Sequence, residues 1–132
     1  MSGPVIVGFD GRDHAADALA LGRQLARAHD APVLVACAYP EDPLGESGAL
    51  AGVGDAARAE AEAALDQARA LVAADAWHAG ERIDYRALPG RTPAEALHEL
   101  AETRGALAIA VGATHHGAAL RLLAGSTPER VL

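Results

Sequence analysis

Short apolar runs alternate along the chain with longer amphipathic segments. The runs at 5–7, 33–39 and 106–111 are apolar almost throughout, which is typical of strands buried on both faces of a sheet. The run at 82–88 alternates instead between apolar and charged residues. It therefore predicts a half-exposed strand near a sheet edge, and four strands are predicted in all.

Helical spacing of apolar residues marks the segments between the first three strands. Asp13 is placed to cap the first of these helices, and a second helix is predicted at 56–76, after a surface loop at 40–55 that is rich in glycine, proline and acidic residues. The residues predicted to share the buried faces of the two helices are Ala18, Leu21, Gly22, Leu25 and Ala28, and Ala61, Leu65, Ala68 and Val72.

A third helix has clear start and stop signals. Thr92 is a suitable N-cap, Pro93 suits the first helical position and Glu95 completes a capping box. Gly105 is placed to end the helix. After the fourth strand, the sequence predicts a loop at 112–125 and the start of another helix at Ser126.

The resulting order, β-α-β-α-β-α-β-α, predicts an α/β fold in three layers: a doubly wound parallel sheet with helices on both faces. The length of 132 residues suits one domain, 1–132. In such a fold, ligands bind beyond the carboxyl ends of the strands, where the strand order reverses.

Charge and composition exclude several functions. The formal net charge is −7, so nucleic acid or an anionic membrane is not expected as a partner. All basic residues are arginine, and the absence of lysine excludes a Walker A loop and Schiff-base catalysis. The single cysteine, Cys37, lies in an apolar run and is expected in the core. These features, with no apolar stretch of membrane-spanning length, predict a cytoplasmic protein.

Candidate chemistry lies after the first and fourth strands. Gly8, Phe9 and Asp10 follow the first strand, and Gly112 follows the fourth. If these strands are neighbours, both segments open onto one crevice, where the helix start at 126–127 would favour an anion such as phosphate. Asp10 would suit a ribose hydroxyl or a bound Mg²⁺.

Residues 5–11, 111–117 and 122–132 resemble the first strand, the signature loop and the last helix of universal stress proteins. The resemblance spans the whole chain and implies a Rossmann-like fold of the adenine nucleotide alpha hydrolase type. Members of this family continue past the last helix into a fifth strand that helps to form a dimer. That strand is expected to be missing from this chain. The resemblance implies a homodimer or a tandem universal stress protein domain.

Members that bind ATP carry a Gly-x-x-Gly-x9-Gly-Ser/Thr pattern. Gly112, Gly125 and Ser126 match it in register, but His115 replaces the second glycine. The imidazole would either obstruct the phosphates or donate a hydrogen bond to them. By resemblance, ATP, with or without Mg²⁺, would be bound by Gly8, Phe9, Asp10, Ala38, Val111, Gly112, His115, Gly125, Ser126 and Thr127.

The resemblance implies a stress-response module that binds an adenine nucleotide without fast turnover. No catalytic base stands out, so the expected chemistry is at most slow ATP hydrolysis or autophosphorylation. The alternative is a dimeric interaction protein of the same family that binds no nucleotide. No metal site is predicted, because adjacent His115 and His116 lack the spacing of a ligand set.

Overall fold

A computed structural model of the chain describes residues 3–40, 53–77, 80–113 and 117–122. It contains five strands and three helices within these residues. In chain order they are β1 (Val5–Gly8), α1 (Ala15–His29), β2 (Val33–Pro40), α2 (Val53–Ala74), β3 (Ile83–Gly90), α3 (Pro93–Arg104), β4 (Ala108–Ala113) and β5 (Gly117–Leu122).

The strands form one sheet in the order β3-β2-β1-β4-β5. β1 pairs in parallel with both β2 and β4, and β2 pairs in parallel with β3. The residues of α1 and α2 pack on one face of the sheet, and those of α3 pack on the other. The α/β fold with a parallel sheet between helical layers is therefore confirmed, and β3 lies at the predicted edge.

The predicted loop at 112–125 is wrong over part of its length. Gly117–Leu122 forms β5, which pairs antiparallel with β4. Without β5, the outer edge of β4 would leave backbone groups unpaired. The glycines in and around this segment led the sequence analysis to predict a loop here. The sheet thus has a fifth strand that the sequence did not predict, and it precedes the predicted last helix, whereas the family strand expected to be missing would follow that helix. That helix, predicted from Ser126, lies outside the described residues, as do 41–52 of the predicted loop at 40–55.

The start of α1 also differs from the prediction. His14, not Asp13, is the N-cap residue, and it has a left-handed backbone with φ 71° and no side-chain cap. Its carbonyl accepts from the Ala18 N–H at 3.0 Å. The left-handed turn places the helix start one residue later than the capping preference indicates. By contrast, the start of α3 is as predicted, because Thr92 Oγ1 accepts from the Glu95 N–H at 3.1 Å.

The buried face of α1 is narrower than its leucines suggest. Leu21 and Leu25 are only half-buried and Ala28 is exposed, so the predicted face is partly wrong. The side turned to the sheet carries mostly small residues, which allows the helix to lie close to β1. Its buried residues are Ala15, Ala18, Leu19, Gly22 and Ala26.

An arginine joins α1 to the segment that precedes β3. Arg23 Nε and Nη2 donate to the two carboxylate oxygens of Glu81 at 2.8 and 2.7 Å. The same guanidinium lies 4.7 Å from the ring centroid of Trp77. The hydrogen bonds to Glu81 raise the pKa of Arg23 above its ordinary value. Trp77 is the one tryptophan of the chain, so its fluorescence reports on this junction.

Candidate functional site

A crevice of about 230 Å³ lies at the carboxyl ends of β1, β2 and β4. From β1 the chain continues through α1 to β2, which lies on one side of β1. β4 lies on the other side of β1, so the strand order reverses between β1 and β4. This is where parallel α/β sheets bind ligands. The residues that line the crevice are Gly8, Phe9, Asp10, Ala36, Ala38, Pro93, Leu97, Val111 and Gly112.

Six of the ten predicted site residues line this crevice. The other four, His115, Gly125, Ser126 and Thr127, lie outside the described residues. Sequence reasoning missed Ala36, Pro93 and Leu97. Ala36 could have been found from strand alternation, since it lies two residues before Ala38, whereas Pro93 and Leu97 depend on how α3 lies across the sheet.

The walls of the crevice are mainly apolar. Ala38 and Val111 stand at the ends of β2 and β4, and Leu97 of α3 belongs to the hydrophobic cluster on this face of the sheet. Asp10 is exposed and, among the described residues, is the one titratable side chain that lines the crevice. An apolar slot with one carboxylate suits a flat apolar group joined to a hydroxyl-bearing group.

Asp10 also stabilises the turn that follows β1. Its Oδ1 accepts from the Arg12 N–H at 2.9 Å. Gly11 has φ 76°, and a Cβ there would lie 3.2 Å from the Gln67 side chain of α2. The carboxylate has two oxygens, so the turn bond leaves Asp10 able to accept from a ligand as well.

Phe9 contributes its backbone to the crevice, not its ring. The side chain is 3% exposed and packs in the cluster formed with α1 and α2. Its N–H donates to the Ala36 carbonyl at 2.8 Å, which extends the pairing of β1 with β2. A ligand-binding role for Phe9 is therefore limited to its main chain.

Two glycines of the predicted site have packing reasons of their own. A Cβ on Gly8 would lie 2.8 Å from Leu97 Cδ1 and 3.1 Å from Val111 Cγ1. A Cβ on Gly112 would lie 3.1 Å from both the carbonyl carbon and the oxygen of His14. Gly112 thus lets the end of β4 contact the start of α1, quite apart from any phosphate.

Three further features of the described residues bear on function: a second concavity, the cysteine and the possibility of a metal site. A larger concavity, of about 680 Å³, lies beside α3 and the end of β3 and is lined by Arg91, His98 and three glutamates among others, but by none of the six predicted site residues that the structure describes. Burial, with smaller effects of Asp10 and Glu62, raises the pKa of the Cys37 thiol, so it stays protonated at neutral pH. Among the described residues, no group of three or more His, Cys, Asp or Glu side chains could hold a metal ion.

Residues 1–132 match the sequence profile of the universal stress protein family. The chain belongs to this family. It is similar to a universal stress protein solved in complex with cAMP, with 27% identity and a TM-score of 0.62 over 82% of this chain and 74% of that one. A family protein from Burkholderia pseudomallei shows 25% identity and a TM-score of 0.64, covering 85% and 82% of the two chains.

A universal stress protein from Archaeoglobus fulgidus shares the fold, with 21% identity and a TM-score of 0.63 over 96% of this chain and 86% of that one. No significant match was found among curated protein sequences. Within the described part of the chain, no helix is long and apolar enough to cross a membrane.

Proposed function

We propose that this universal stress protein is a single-domain regulatory module that binds an adenine nucleotide, ATP in the first instance, in the crevice between β1 and β4. The observation that carries the proposal is the position of Asp10 and the apolar walls at the point where the strand order reverses. The related protein solved with cAMP supports the same class of ligand.

The dimensions of the crevice favour the base and the sugar as its occupants. Its volume of about 230 Å³ is below the range of roughly 300–1,000 Å³ typical of small-molecule pockets. Ala38 and Val111 would contact the base, and Asp10 would accept from a ribose hydroxyl. This leaves the phosphates to the segment 112–127, with Gly112, His115, Gly125, Ser126 and Thr127.

The start of α1 is a poor alternative for the phosphates. Asp13 and Asp17 place negative charge there, and His14 Nδ1 is 3.2 Å from the Asp17 carboxylate. Like charges oppose an anion at a helix N-terminus that would otherwise favour it. A Mg²⁺ ion that accompanies the phosphates would need one or two carboxylates, and Asp10 is the one among the described residues that line the crevice.

We propose binding without fast turnover from the side chains that line the crevice in the described part of the chain. Asp10 is their one titratable group, and it lies at the sugar end in the proposed arrangement. General-base activation of a water at the γ-phosphate would need a group within hydrogen-bond reach of that water. We therefore assign the protein to nucleotide sensing, with hydrolysis or autophosphorylation as a slow side activity.

We expect Asp10→Ala to weaken ATP binding by about 10- to 100-fold, because a hydrogen bond to a charged group contributes about 1.5–3 kcal/mol. Asp10→Asn should lose less, since the amide oxygen can still accept from the Arg12 N–H and from a hydroxyl. Calorimetric titration with ATP, with and without Mg²⁺, measures both variants.

Asp13→Ala is the matched control, because Asp13 is an exposed acid in the same turn that does not line the crevice. Equal losses in the Asp10→Ala and Asp13→Ala variants would point to a general field effect and would remove Asp10 from the site.

The nucleotide-free dimeric interaction protein remains the second candidate, because His115 stands in place of a motif glycine. Glycine accepts a positive φ and a close approach of its backbone, which histidine does less readily. If the imidazole obstructs the phosphates, His115→Gly should strengthen ATP binding while AMP binding changes little. Weaker ATP binding in this variant would show that the imidazole is a ligand group. A folded wild-type protein with no binding at millimolar ATP would favour the second candidate.

A further inference from the structure

The outer edge of β3 is the end of the sheet in the described part of the chain. β3 pairs with β2 on one side only. The Val33 N–H donates to the Arg82 carbonyl at 2.8 Å, so the backbone groups of Arg82 point toward β2. Directions alternate along a strand, so every second residue from Ile83 points its groups outward. These residues are Ile83, Tyr85, Ala87 and Pro89.

Two of these four positions offer no free donor to another strand. Pro89 has no N–H. The Tyr85 N–H already donates to Asp84 Oδ1, at 2.9 Å. Asp84 is exposed, so burial of its side chain does not account for the position of the carboxylate next to this N–H. The donors that remain are those of Ile83 and Ala87, one on each side of Tyr85.

We propose that Asp84 caps the β3 edge and thereby prevents a second copy of this chain from adding its own β3 there. Open edges pair readily with other strands, and identical strands related by a two-fold axis pair antiparallel. In the register centred on Tyr85, this residue lies opposite Tyr85 of the second copy. Ile83 then pairs with Ala87 of the second copy, and Pro89 lies outside the paired region. Its two central hydrogen bonds both need the Tyr85 N–H that Asp84 occupies.

Other registers bring a second obstacle. Moving the centre of pairing toward Ala87 places Pro89 at a position that has to donate a hydrogen bond, and proline has no N–H to give. Moving the centre toward Ile83 leaves Pro89 outside, but Tyr85 then pairs with Ile83 of the second copy, which also needs the Tyr85 N–H. Asp84 therefore blocks the registers that Pro89 leaves open. The two residues together keep an eight-residue edge strand from acting as a template.

A test must separate the cap from the charge, because Asp84 would face Arg86 of the second copy in the Tyr85-centred register. Asp84→Asn keeps an oxygen that accepts from the Tyr85 N–H and removes the charge. Asp84→Glu keeps the charge and carries the carboxylate one methylene farther from that N–H. Asp84→Ala removes both.

The experiment is size-exclusion chromatography with light scattering over a concentration series, on the wild type and the three variants, with thermal unfolding to show that each is folded. We expect Asp84→Glu and Asp84→Ala to form a species of roughly twice the wild-type molar mass, while Asp84→Asn matches the wild type. Adding Ala87→Pro to Asp84→Ala removes another outward donor and should restore the wild-type mass.

Three outcomes would overturn the proposal. If Asp84→Glu and Asp84→Ala keep the wild-type mass at every concentration, the cap does not control association. If Asp84→Asn associates as strongly as Asp84→Ala, a hydrogen bond to the Tyr85 N–H does not protect the edge. Association that persists after Ala87→Pro would place the contact elsewhere on the molecule.

Discussion

Ala38→Phe is expected to lower the affinity for ATP by up to about 100-fold, since overpacking costs roughly 1–3 kcal/mol and each 1.4 kcal/mol is a factor of ten. Ala38 shares the face of β2 that carries Ala36, because Cys37 between them packs on the opposite face. Ala36 is fully buried, whereas Ala38 is half-buried and lines the crevice. A ring at Ala38 therefore extends into the space proposed for the base.

The fold should tolerate this change, because aromatic residues suit strands and the position is partly open to solvent. Calorimetric titration with ATP measures the affinity, and thermal unfolding followed by Trp77 fluorescence verifies the fold. Ala20→Phe, on the exposed side of α1, is the control for a ring added elsewhere. Unchanged ATP binding in folded Ala38→Phe protein would move the nucleotide out of this crevice.

Gly22→Ala is expected to destabilise the protein by about 1–3 kcal/mol, which is the usual cost of an added methyl in a packed core. A Cβ on Gly22 would lie 2.5 Å from Val7 Cγ2. Val7 is fully buried, and its branched side chain has little freedom at χ1. The clash therefore outweighs the gain of up to about 1 kcal/mol that alanine brings to a helix interior.

Chemical denaturation monitored by Trp77 fluorescence gives the free energy of unfolding. Val7→Ala should relieve the clash, so the double variant should be more stable than the sum of the two single changes predicts, by about 0.5–3 kcal/mol. Gly80→Ala is the control, because apart from its chain neighbours no atom of the described residues lies within 4 Å of the added Cβ. An additive double variant would mean that the contact between α1 and β1 is looser than the structure shows.

Local patterns predicted most of the fold. The apolar runs located β1, β2 and β4, and alternation located β3 at an edge, because burial on two faces or one leaves different periods in the sequence. The capping residues of α3 likewise predicted where that helix begins and ends. β5 was not predicted, since its pairing depends on the open edge of β4, which local sequence does not encode. The left-handed His14 at the start of α1 was also missed, because a preference for capping residues does not determine the backbone conformation of the residue that begins the helix.

The candidate site was predictable where it depends on strand ends. Parallel strands bring their carboxyl ends to one edge of the sheet, so Asp10, Ala38 and Gly112 could be grouped without coordinates. The contribution of Leu97 could not, because it requires knowing that α3 crosses the sheet next to β1. Phe9 was placed correctly along the chain, but the direction of its ring depends on strand alternation about β1.

Because the residues on the buried side of α1 are mostly small, we expect this layer to tolerate smaller side chains better than larger ones. Ala18 is fully buried and Ala15 and Ala26 are nearly so, so each has few atoms to lose and no room to gain any. Replacing one of these alanines by glycine would cost mainly helix propensity, about 1 kcal/mol. Substitutions that enlarge it would have to move the helix away from the sheet. Sequence variation at these positions should therefore stay among glycine, alanine and serine, while the outer side of the same helix varies freely.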